Sequence, residues 1–267
     1  LCRLALGGHG IDAASFTSVR IASGAFVLVL LQRFSPTSRA SARAGWRAAG
    51  LLFAYAACFS FAYGSLATGT GALILFGCVQ VTMLLVALRA GERLTPIAWL
   101  GLSSAALGLG VLVFPGLSAP DPRGAVLMAF AGAAWGGYTL YGRGSRAPLA
   151  DTARNFVFAT PLALVVSAFA FRSATLTRSG VVLAVISGAV TSGVGYSLWY
   201  TALRALSAVQ ASVLQLCVPV LATAAGIVFL GEVLSGRVLL ASCMILGGVA
   251  LVINARQERK SRPAAQN

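Results

Sequence analysis

Long apolar runs dominate the pattern along this chain, with charged residues gathered between them. No charged residue occurs between Arg47 and Arg89, or between Arg204 and Glu232. A run of about 20 apolar residues crosses a bilayer as a helix, and the first run is long enough for a pair of crossings. The pattern therefore predicts an all-α polytopic membrane protein, with the lipid bilayer as its surroundings.

Charges, prolines and glycine-rich turns divide these runs into nine spans. They cover residues 13–32, 48–67, 69–88, 95–114, 124–142, 155–171, 180–200, 207–230 and 238–255. The stretch "ATGTG", from Ala67 to Gly71, is interpreted as a hairpin turn within the long second run, because Gly and Thr form tight turns without a charge. The connections are short, which leaves little room for a soluble domain.

The phrase Gly-Glu-x-Leu-Ser/Thr occurs before the fourth span and again before the ninth. Its residues are Gly91, Glu92 and Thr95 in the first copy, and Gly231, Glu232 and Ser235 in the second. Five spans separate the copies, and because five is odd they face opposite sides of the membrane. This arrangement is typical of an inverted-topology repeat.

The second repeat contains five spans and the first only four, so one more helix is expected ahead of Ile11. Residues 1–9 look like the outer end of that helix, and we expect about 20 residues to be missing before them. The full protein would then have ten transmembrane helices. The predicted organisation is a first repeat over residues 1–120, a second repeat over 121–255 and a basic cytoplasmic tail over 256–267.

The role of the repeated phrase is interpreted as structural. Thr95 and Ser235 are good helix N-caps, and a carboxylate close by suits the positive end of a helix dipole. The alternative is that Glu92 or Glu232 carries a proton or acts in a gate. Both glutamates lie at span edges, where a charge costs much less than at the middle of the bilayer.

Charge predicts the orientation rather than a nucleic-acid partner. The chain has 20 basic and 6 acidic residues, a net charge of +14, but the arginines lie in short loops between spans, as the positive-inside rule expects. Fourteen basic residues fall on one side and six on the other, the six being Arg3, Arg20, Arg123, Arg172, Arg178 and Arg237. We expect both termini of the full protein in the cytoplasm, and the protein in the inner (plasma) membrane.

Two inverted five-helix halves, each with this phrase before its last helix, resemble the EamA type of the drug/metabolite transporter superfamily. The stretch "YSLWYTALRALSAVQASVLQLCVPVLATAAGIVFLGE", from Tyr196 to Glu232, is similar to the family's second-repeat signature. The stretch "GTGALILFGCVQVTMLLVALRAGE", from Gly69 to Glu92, is similar to the first-repeat equivalent, but has Val79 where the second has Pro219. The resemblance covers residues 11–255 and implies transport of a small-molecule substrate.

Polar residues inside spans are candidates for substrate binding, because an amide within the bilayer must find a partner or a water-filled cavity. Ser212, Gln215 and Pro219 share one face of the eighth span. The proline removes a backbone donor, which makes it a candidate helix break or gating element. Gln80 lies at a similar depth in the first repeat. Hydrogen bonding between helices is the alternative role for both glutamines.

Aromatic residues form a second group of candidates. Ser192, Tyr196 and Trp199 follow one another at helical spacing, and Trp135 and Tyr138 lie among glycines near the middle of their span. Anchoring at the membrane interface is the alternative for Trp199, and close helix packing is the alternative for the Trp135 region.

Asn155, near the start of its predicted span, is the last candidate for substrate binding. Its alternative role is to cap the helix that it begins.

Several chemistries find no support in the sequence. There is no G-x-x-x-x-G-K-S/T phosphate loop, and the lone Lys260 lies in the tail. The five cysteines show no C-x-x-C spacing and His9 is the single histidine, so we expect no metal site and no cofactor. No nucleophile with a base and no pair of acids falls within a span, which argues against an enzyme.

The sequence therefore predicts a secondary transporter, an exporter of small organic metabolites that are amino-acid-like or drug-like. Alternating access between the two repeats would move the solute. The alternative is a helical membrane scaffold or channel without a transport cycle, and a homodimer is left open.

The orientation can be tested with a reporter fused after Asn267. We expect a fluorescent reporter, which matures in the cytoplasm, to be active, and a periplasmic phosphatase at the same place to be inactive. The reverse result would overturn the predicted orientation.

Overall fold

Every regular element of this computed structural model is helical within the residues it describes. These are residues 1–8, 10–34, 40, 44–89, 91, 95–113, 120–142, 145–196, 198–199 and 208–261, with side chains described for all but 84, 87, 113, 208–217 and 256–261. In the part nearest the N-terminus, α1 covers Cys2–Gly7, α2 Ala13–Phe34, α3 Trp46–Ala62, α4 Thr68–Arg89 and α5 Pro96–Val113.

The second group of helices begins with α6 over Pro122–Gly142 and α7 over Pro148–Phe169. A short 3₁₀ turn, Phe171–Ser173, leads to α8 over Arg178–Ile186, which continues as a π-helical segment over Ser187–Val194. Next come α9 over Ala208–Leu230 and α10 over Gly236–Ser261. By length and composition, α2, α7 and the part Gly236–Ala255 of α10 are each able to cross a membrane, and shorter apolar helices accompany them in the described chain.

The observed helices follow the predicted spans with two notable differences at their ends. Helix α7 begins at Pro148 rather than at residue 155, because a proline suits the first helical position and Asp151 suits the first turn. Helix α10 continues to Ser261, so the first part of the predicted tail, residues 256–261, is helical.

The turn predicted at residues 67–71 lies slightly earlier in the chain. Helix α3 ends at Ala62, and α4 has already begun at Thr68. Gly69 and Gly71 are therefore inside α4, where they allow close packing. A Cβ at Gly71 would lie 2.7 Å from Cε1 of Tyr63, and one at Gly69 would collide with Thr223 of α9.

The repeated phrase forms a helix stop followed by a helix start. Gly91 has φ 84° and Gly231 has φ 64°, in the left-handed region where glycine carries no Cβ penalty. The hydroxyl of Thr95 accepts a hydrogen bond from the Ala98 N–H at 3.2 Å, and Ser235 Oγ accepts one from the Val238 N–H at 3.2 Å. Glu92 lies outside the described residues.

Asp12 and Asp121 cap two other helices. Oδ1 of Asp12 accepts hydrogen bonds from the N–H groups of Ala14 and Ser15 at the start of α2. Burial opposes ionisation of Asp12, but the hydrogen bonds from Ser15 and from the Thr175 N–H outweigh it and lower the pKa of the carboxyl. At α6 the Gly124 N–H donates to Asp121 at 2.7 Å, and this bond, followed by one from Ser65, lowers the pKa of Asp121.

Helices from the two predicted repeats pack mainly against one another. Helix α2 lies against α7, α8 and the π-helical segment, while α3 lies against α6 and α7. Helix α4 packs on α6 and α9, and α5 packs along α10. The space between α2, α3, α6 and α7 is therefore bounded by both predicted repeats.

The crossing of α5 and α10 depends on glycine. A Cβ on Gly101 would collide with the carbonyl oxygen of Gly248, and a Cβ on Gly248 would collide with that of Gly101. Ser104 Oγ donates a hydrogen bond to the Met244 carbonyl at 3.1 Å beside this contact. Small residues of this kind let helix backbones approach closely in a membrane, where dispersion and hydrogen bonding drive association.

The Gly248→Ala substitution should destabilise this crossing by about 1–3 kcal/mol, because the added methyl meets backbone that cannot easily move. Gly247→Ala is the matched control, since a Cβ at that neighbouring glycine has no atom within 4 Å. Thermal unfolding of both variants in detergent should show a lower midpoint for Gly248→Ala alone. Equal midpoints would contradict the close approach.

Candidate functional site

An aromatic cluster, consisting of Tyr55, Trp135, Tyr138, Phe156 and Tyr196, lies between the packed helices. The Trp135 ring centroid is 4.7 Å from that of Tyr55, 5.5 Å from that of Tyr196 and 5.6 Å from that of Tyr138. Phe156 meets Tyr196 edge-on at 5.8 Å. These separations are typical of favourable aromatic pairs. The structure thus brings three predicted candidates, Trp135, Tyr138 and Tyr196, together.

The glycines around Trp135 explain which way its helix faces. A Cβ at Gly132 would lie 2.7 Å from Cβ of Cys78, and one at Gly136 would lie 3.1 Å from Cβ of Thr82. This small-residue face of α6 is therefore pressed against α4. Trp135, about 100° around the helix from Gly136, lies instead against Tyr55 of α3. Helix α6 therefore packs closely against α4 through its glycines and contributes Trp135 to the aromatic cluster.

Arg20 lies beside this aromatic cluster and corrects one prediction. From its charge it was expected on the outer side with the loop arginines, but it lies about two turns inside α2 and is only 9% exposed. Its Cζ atom is 5.1 Å from the ring centroid of Phe59 and 5.9 Å from that of Tyr55. The predicted outer side keeps five basic residues, so the predicted charge bias becomes stronger.

A narrow cavity adjoins the Arg20 guanidinium. Its lining consists of Arg20 and Ile21 of α2, Leu52, Tyr55 and Ala56 of α3, Phe156 of α7, and Ser192 and Tyr196. It has room for about one water molecule, so an organic solute can enter only if the surrounding helices separate. A wider crevice beside Val111 and Leu240, between α5 and α10, is open and mostly apolar. Aromatic and polar side chains converge on the narrow cavity instead.

The π-helical segment places Ser192 at this cavity. A Cβ at Gly193 would lie 2.8 Å from Cγ1 of Val27, and one at Gly188 would collide with the Arg20 carbonyl oxygen. The segment is therefore pressed directly onto α2. π-Helical turns are rare and are found frequently at functional sites. Ser192 and Tyr196 both line the cavity, whereas Trp199 is half-buried and does not.

Asn155 links three helices at one end of the aromatic cluster. It lies in the interior of α7 and is 5% exposed, so it does not cap its own helix as the alternative interpretation expected. Its Oδ1 accepts a hydrogen bond from the Gly45 N–H at 3.1 Å, just ahead of α3. Its Nδ2 donates to the Tyr138 hydroxyl at 3.3 Å. Asn155 thus holds α3 and α6 in position around the cluster.

The remaining candidates are not brought to the cavity by the described contacts. Gln80 is half-buried on α4, away from the cavity lining. Ser212 and Gln215 belong to the part of α9 whose side chains lie outside the described residues. Helix α9 passes through Pro219 without interruption, so the predicted helix break is not seen there.

Glu232 caps a helix of the other predicted repeat. Oε1 accepts hydrogen bonds from the Thr68 N–H at 2.8 Å and from the Thr68 hydroxyl at 2.9 Å. The guanidinium of Arg3 lies 3.8 Å from the same oxygen. The carboxylate therefore satisfies the first turn of α4 and connects it to the loop between α9 and α10.

Among the charged and aromatic residues of the cavity wall, three were not singled out as site residues from the sequence: Arg20, Tyr55 and Phe156. For Arg20 a signal was present, because it is the one charged residue between Asp12 and Arg33. A charge inside an apolar run is a functional candidate by default. Tyr55 and Phe156 carry no distinguishing local pattern, and only the packing of α3 and α7 reveals them.

Comparison with known proteins identifies the family of the chain. The model of the EamA-like transporter family matches residues 122–254. An uncharacterized protein of Pseudomonas aeruginosa is 48% identical over 265 residues, covering 99% of this chain and 92% of that protein. The chain belongs to the EamA-like transporter family. This EamA-like protein is therefore a membrane transporter of the drug/metabolite transporter superfamily, and the prediction of an all-α polytopic membrane protein is confirmed.

A solved crystal structure shows the same fold. Its sequence is 20% identical to that of this EamA-like chain, and the two superpose with a TM-score of 0.66. The superposition covers 93% of this chain and 91% of the other. At this identity the likeness concerns the arrangement of helices alone.

The Asn155→Ala substitution should destabilise the EamA-like protein by about 1–3 kcal/mol, because it leaves the partly buried Gly45 N–H without this acceptor. Asn254→Ala, at an exposed position on α10, is the matched control. Thermal unfolding in detergent should show a loss for Asn155→Ala only. An equal effect of both substitutions would contradict the linking role of Asn155.

Proposed function

We propose that this EamA-like protein is a secondary transporter that exports small organic metabolites, amino-acid-like or drug-like in character. The observation that supports this proposal is the composition of the cavity wall. Arg20 and Tyr55 come from the predicted first repeat, and Phe156, Ser192 and Tyr196 come from the second. A cavity shared by two repeats is the arrangement that alternating access requires, because relative movement of the repeats opens it to one side at a time.

The small size of the cavity fits a closed step of such a cycle. With room for about one water molecule, it must widen before it accepts a solute. Two helix pairs border the cavity: α2 packs against the π-helical segment, and α3 packs against α7. In each pair, one helix belongs to the first predicted repeat and the other to the second. Separation of these pairs would widen the cavity, and Pro219, which leaves one helical hydrogen bond unmade in α9, is the candidate for gating.

The wall chemistry supports amphipathic solutes. The rings of Tyr55, Phe156 and Tyr196 line the cavity and offer apolar faces that pack against an aliphatic or aromatic body. The same faces attract organic cations. Trp135 packs on the rings of Tyr55 and Tyr196. No phosphate-binding loop for ATP occurs in the sequence, so the proposal includes transport driven by a solute or ion gradient. In the proposed inner-membrane orientation, with cytoplasmic termini, Arg20 lies in the outer half of α2.

Counterflow in proteoliposomes tests the proposal, with a panel of radiolabelled amino acids, aromatic acids and quaternary amines. We expect saturable flux of at least one solute by the wild-type protein. Trp135→Ala should lower kcat/KM for that solute about tenfold, since an aromatic contact contributes about 1 kcal/mol beyond its buried area. Trp99→Ala is the matched control, because Trp99 is 52% exposed on α5 and outside the aromatic cluster.

Each result of this experiment has a distinct meaning. Flux that rises linearly with concentration would favour a channel. Absence of flux for the whole panel, in vesicles that contain folded protein, would favour the non-transporting scaffold. Equal losses in Trp135→Ala and Trp99→Ala would contradict the assignment of the aromatic cluster as the solute site.

A further inference from the structure

We propose that Arg20 anchors a carboxylate group of the solute, and that this protein therefore acts on organic carboxylates with an apolar body. The inference deepens the proposed function and rests on it for the transport step. It concerns one buried cation, the anions available to it, and the chemistry of the cavity beside it.

The first observation is that the described acids are committed elsewhere. Four of the six carboxylates in the chain have described side chains: Asp12, Asp121, Asp151 and Glu232. Asp12 and Asp121 cap α2 and α6, and Asp151 bonds to Ser145. Glu232 caps α4 and forms the ion pair with Arg3, the one pair recorded within 4 Å in the described part of the chain.

The second observation is that the described partners of Arg20 are hydroxyl, thiol and aromatic groups rather than carboxylates, and that its contacts with Ser192 and Cys2 are long. Its Nε atom donates to Ser192 Oγ at 3.5 Å, and its Nη1 atom lies 4.0 Å from Sγ of Cys2. The Tyr55 side chain is a further hydrogen-bonding neighbour, and the Phe59 ring faces the guanidinium at 5.1 Å. These contacts leave a buried cation without a counter-charge among the described residues. Burial of an uncompensated charge within a membrane-spanning segment is unfavourable, so such residues generally have a partner or mark a binding site.

A carboxylate in the cavity would supply the missing counter-charge and would give the guanidinium closer hydrogen-bond partners. The guanidinium presents N–H donors in a planar fork that matches the two oxygens of a carboxylate, and such pairs are among the strongest hydrogen-bonded contacts in proteins. Ser192 and Tyr55, which also line the cavity, carry hydroxyls able to donate to the same group. The remaining lining side chains, Leu52, Phe156 and Tyr196 among them, would contact the apolar body of the solute.

The competing explanation is that Arg20 only fastens α2 to α3 through its contacts with Phe59 and Tyr55. In that case, replacement of Arg20 would change the stability of the protein and would affect acidic and neutral solutes alike. The anchoring role predicts a difference between a carboxylate and its uncharged isostere. That difference is measurable in the wild-type protein, so the test does not depend on a variant that folds.

The binding experiment uses full-length protein in detergent, with calorimetric titration of 3-phenylpropanoate and its neutral isostere 3-phenylpropanamide. Because a charge-assisted bidentate pair is replaced by weaker neutral bonds, we expect the wild-type protein to bind the acid about tenfold or more tightly than the amide. Arg20→Gln should abolish this preference. Arg20→Lys keeps the charge but lacks the fork, and should retain part of it. Arg172→Gln, an exposed arginine in the short turn after α7, should behave as wild type.

Three results would overturn the inference. They are equal binding of acid and amide by the wild-type protein, an unchanged preference in Arg20→Gln, and competition by sodium chloride as effective as that by the acid, which would indicate a site for small inorganic anions. Absence of binding by either compound would also count against it.

Counterflow of the same two compounds separates this inference from the proposed function. Saturable transport of neutral or cationic solutes, with no preference for the acid, would leave the transporter proposal standing and remove the carboxylate assignment. Arg20-dependent binding of the acid without any flux would support the carboxylate assignment and contradict the transporter proposal.

Discussion

Close contact between helix backbones at glycine is the interaction on which the rest of this structure depends. In a bilayer the lipid tails are as apolar as leucine, so apolar side chains alone provide little drive for helices to associate. Gly101 and Gly248 bring α5 onto α10, Gly132 brings α6 onto α4, and Gly188 brings the π-helical segment onto α2. The contact at Gly132 helps to place Trp135 in the aromatic cluster, and the contact at Gly188 helps to place Ser192 in the cavity wall.

The scarcity of acids is the second determinant of the site. With 6 carboxylates against 20 basic residues, the acids have few positions to fill, and the described ones satisfy helix starts and turns. Helix starts need acceptors because their first N–H groups have no partner within the helix. Arg20 thus lies in an interior that supplies aromatic rings and hydroxyls but no described counter-charge. The position of Arg20 favours binding of an anionic group of a ligand. The charges in the loops alone would not indicate such a site.

Much of the fold could be predicted from the sequence, because the bilayer fixes the length of an apolar run and collects charges at its ends. The same reasoning failed where a charge lies inside a helix. Asp151 and Arg154 made α7 seem to begin too late, and Arg20 was counted with the basic residues of the outer side although it lies inside α2. The glycines of the predicted turn were likewise assigned to chain reversal, although Gly69 and Gly71 serve helix packing.

The candidate site was predictable only in part, for a different physical reason. Trp135, Tyr138, Asn155 and Tyr196 stand out as polar or aromatic residues within apolar runs, and the structure brings them together. Tyr55 and Phe156 face the cavity that Tyr196 also lines because of how α3 and α7 are rotated, and that rotation depends on contacts with helices distant in sequence. The π-helical segment also departs from α-helical periodicity, which is the basis for assigning residues to a face.

The α5–α10 crossing has a consequence for how this sequence can vary. When two large residues meet, an enlargement on one side can be offset by a reduction on the other. At Gly101 and Gly248 both partners already lack a side chain, and each would collide with main-chain atoms of the other helix. No compensating substitution exists for either position. The residues at these two positions should therefore vary least, while aliphatic residues on the lipid-facing surface can replace one another.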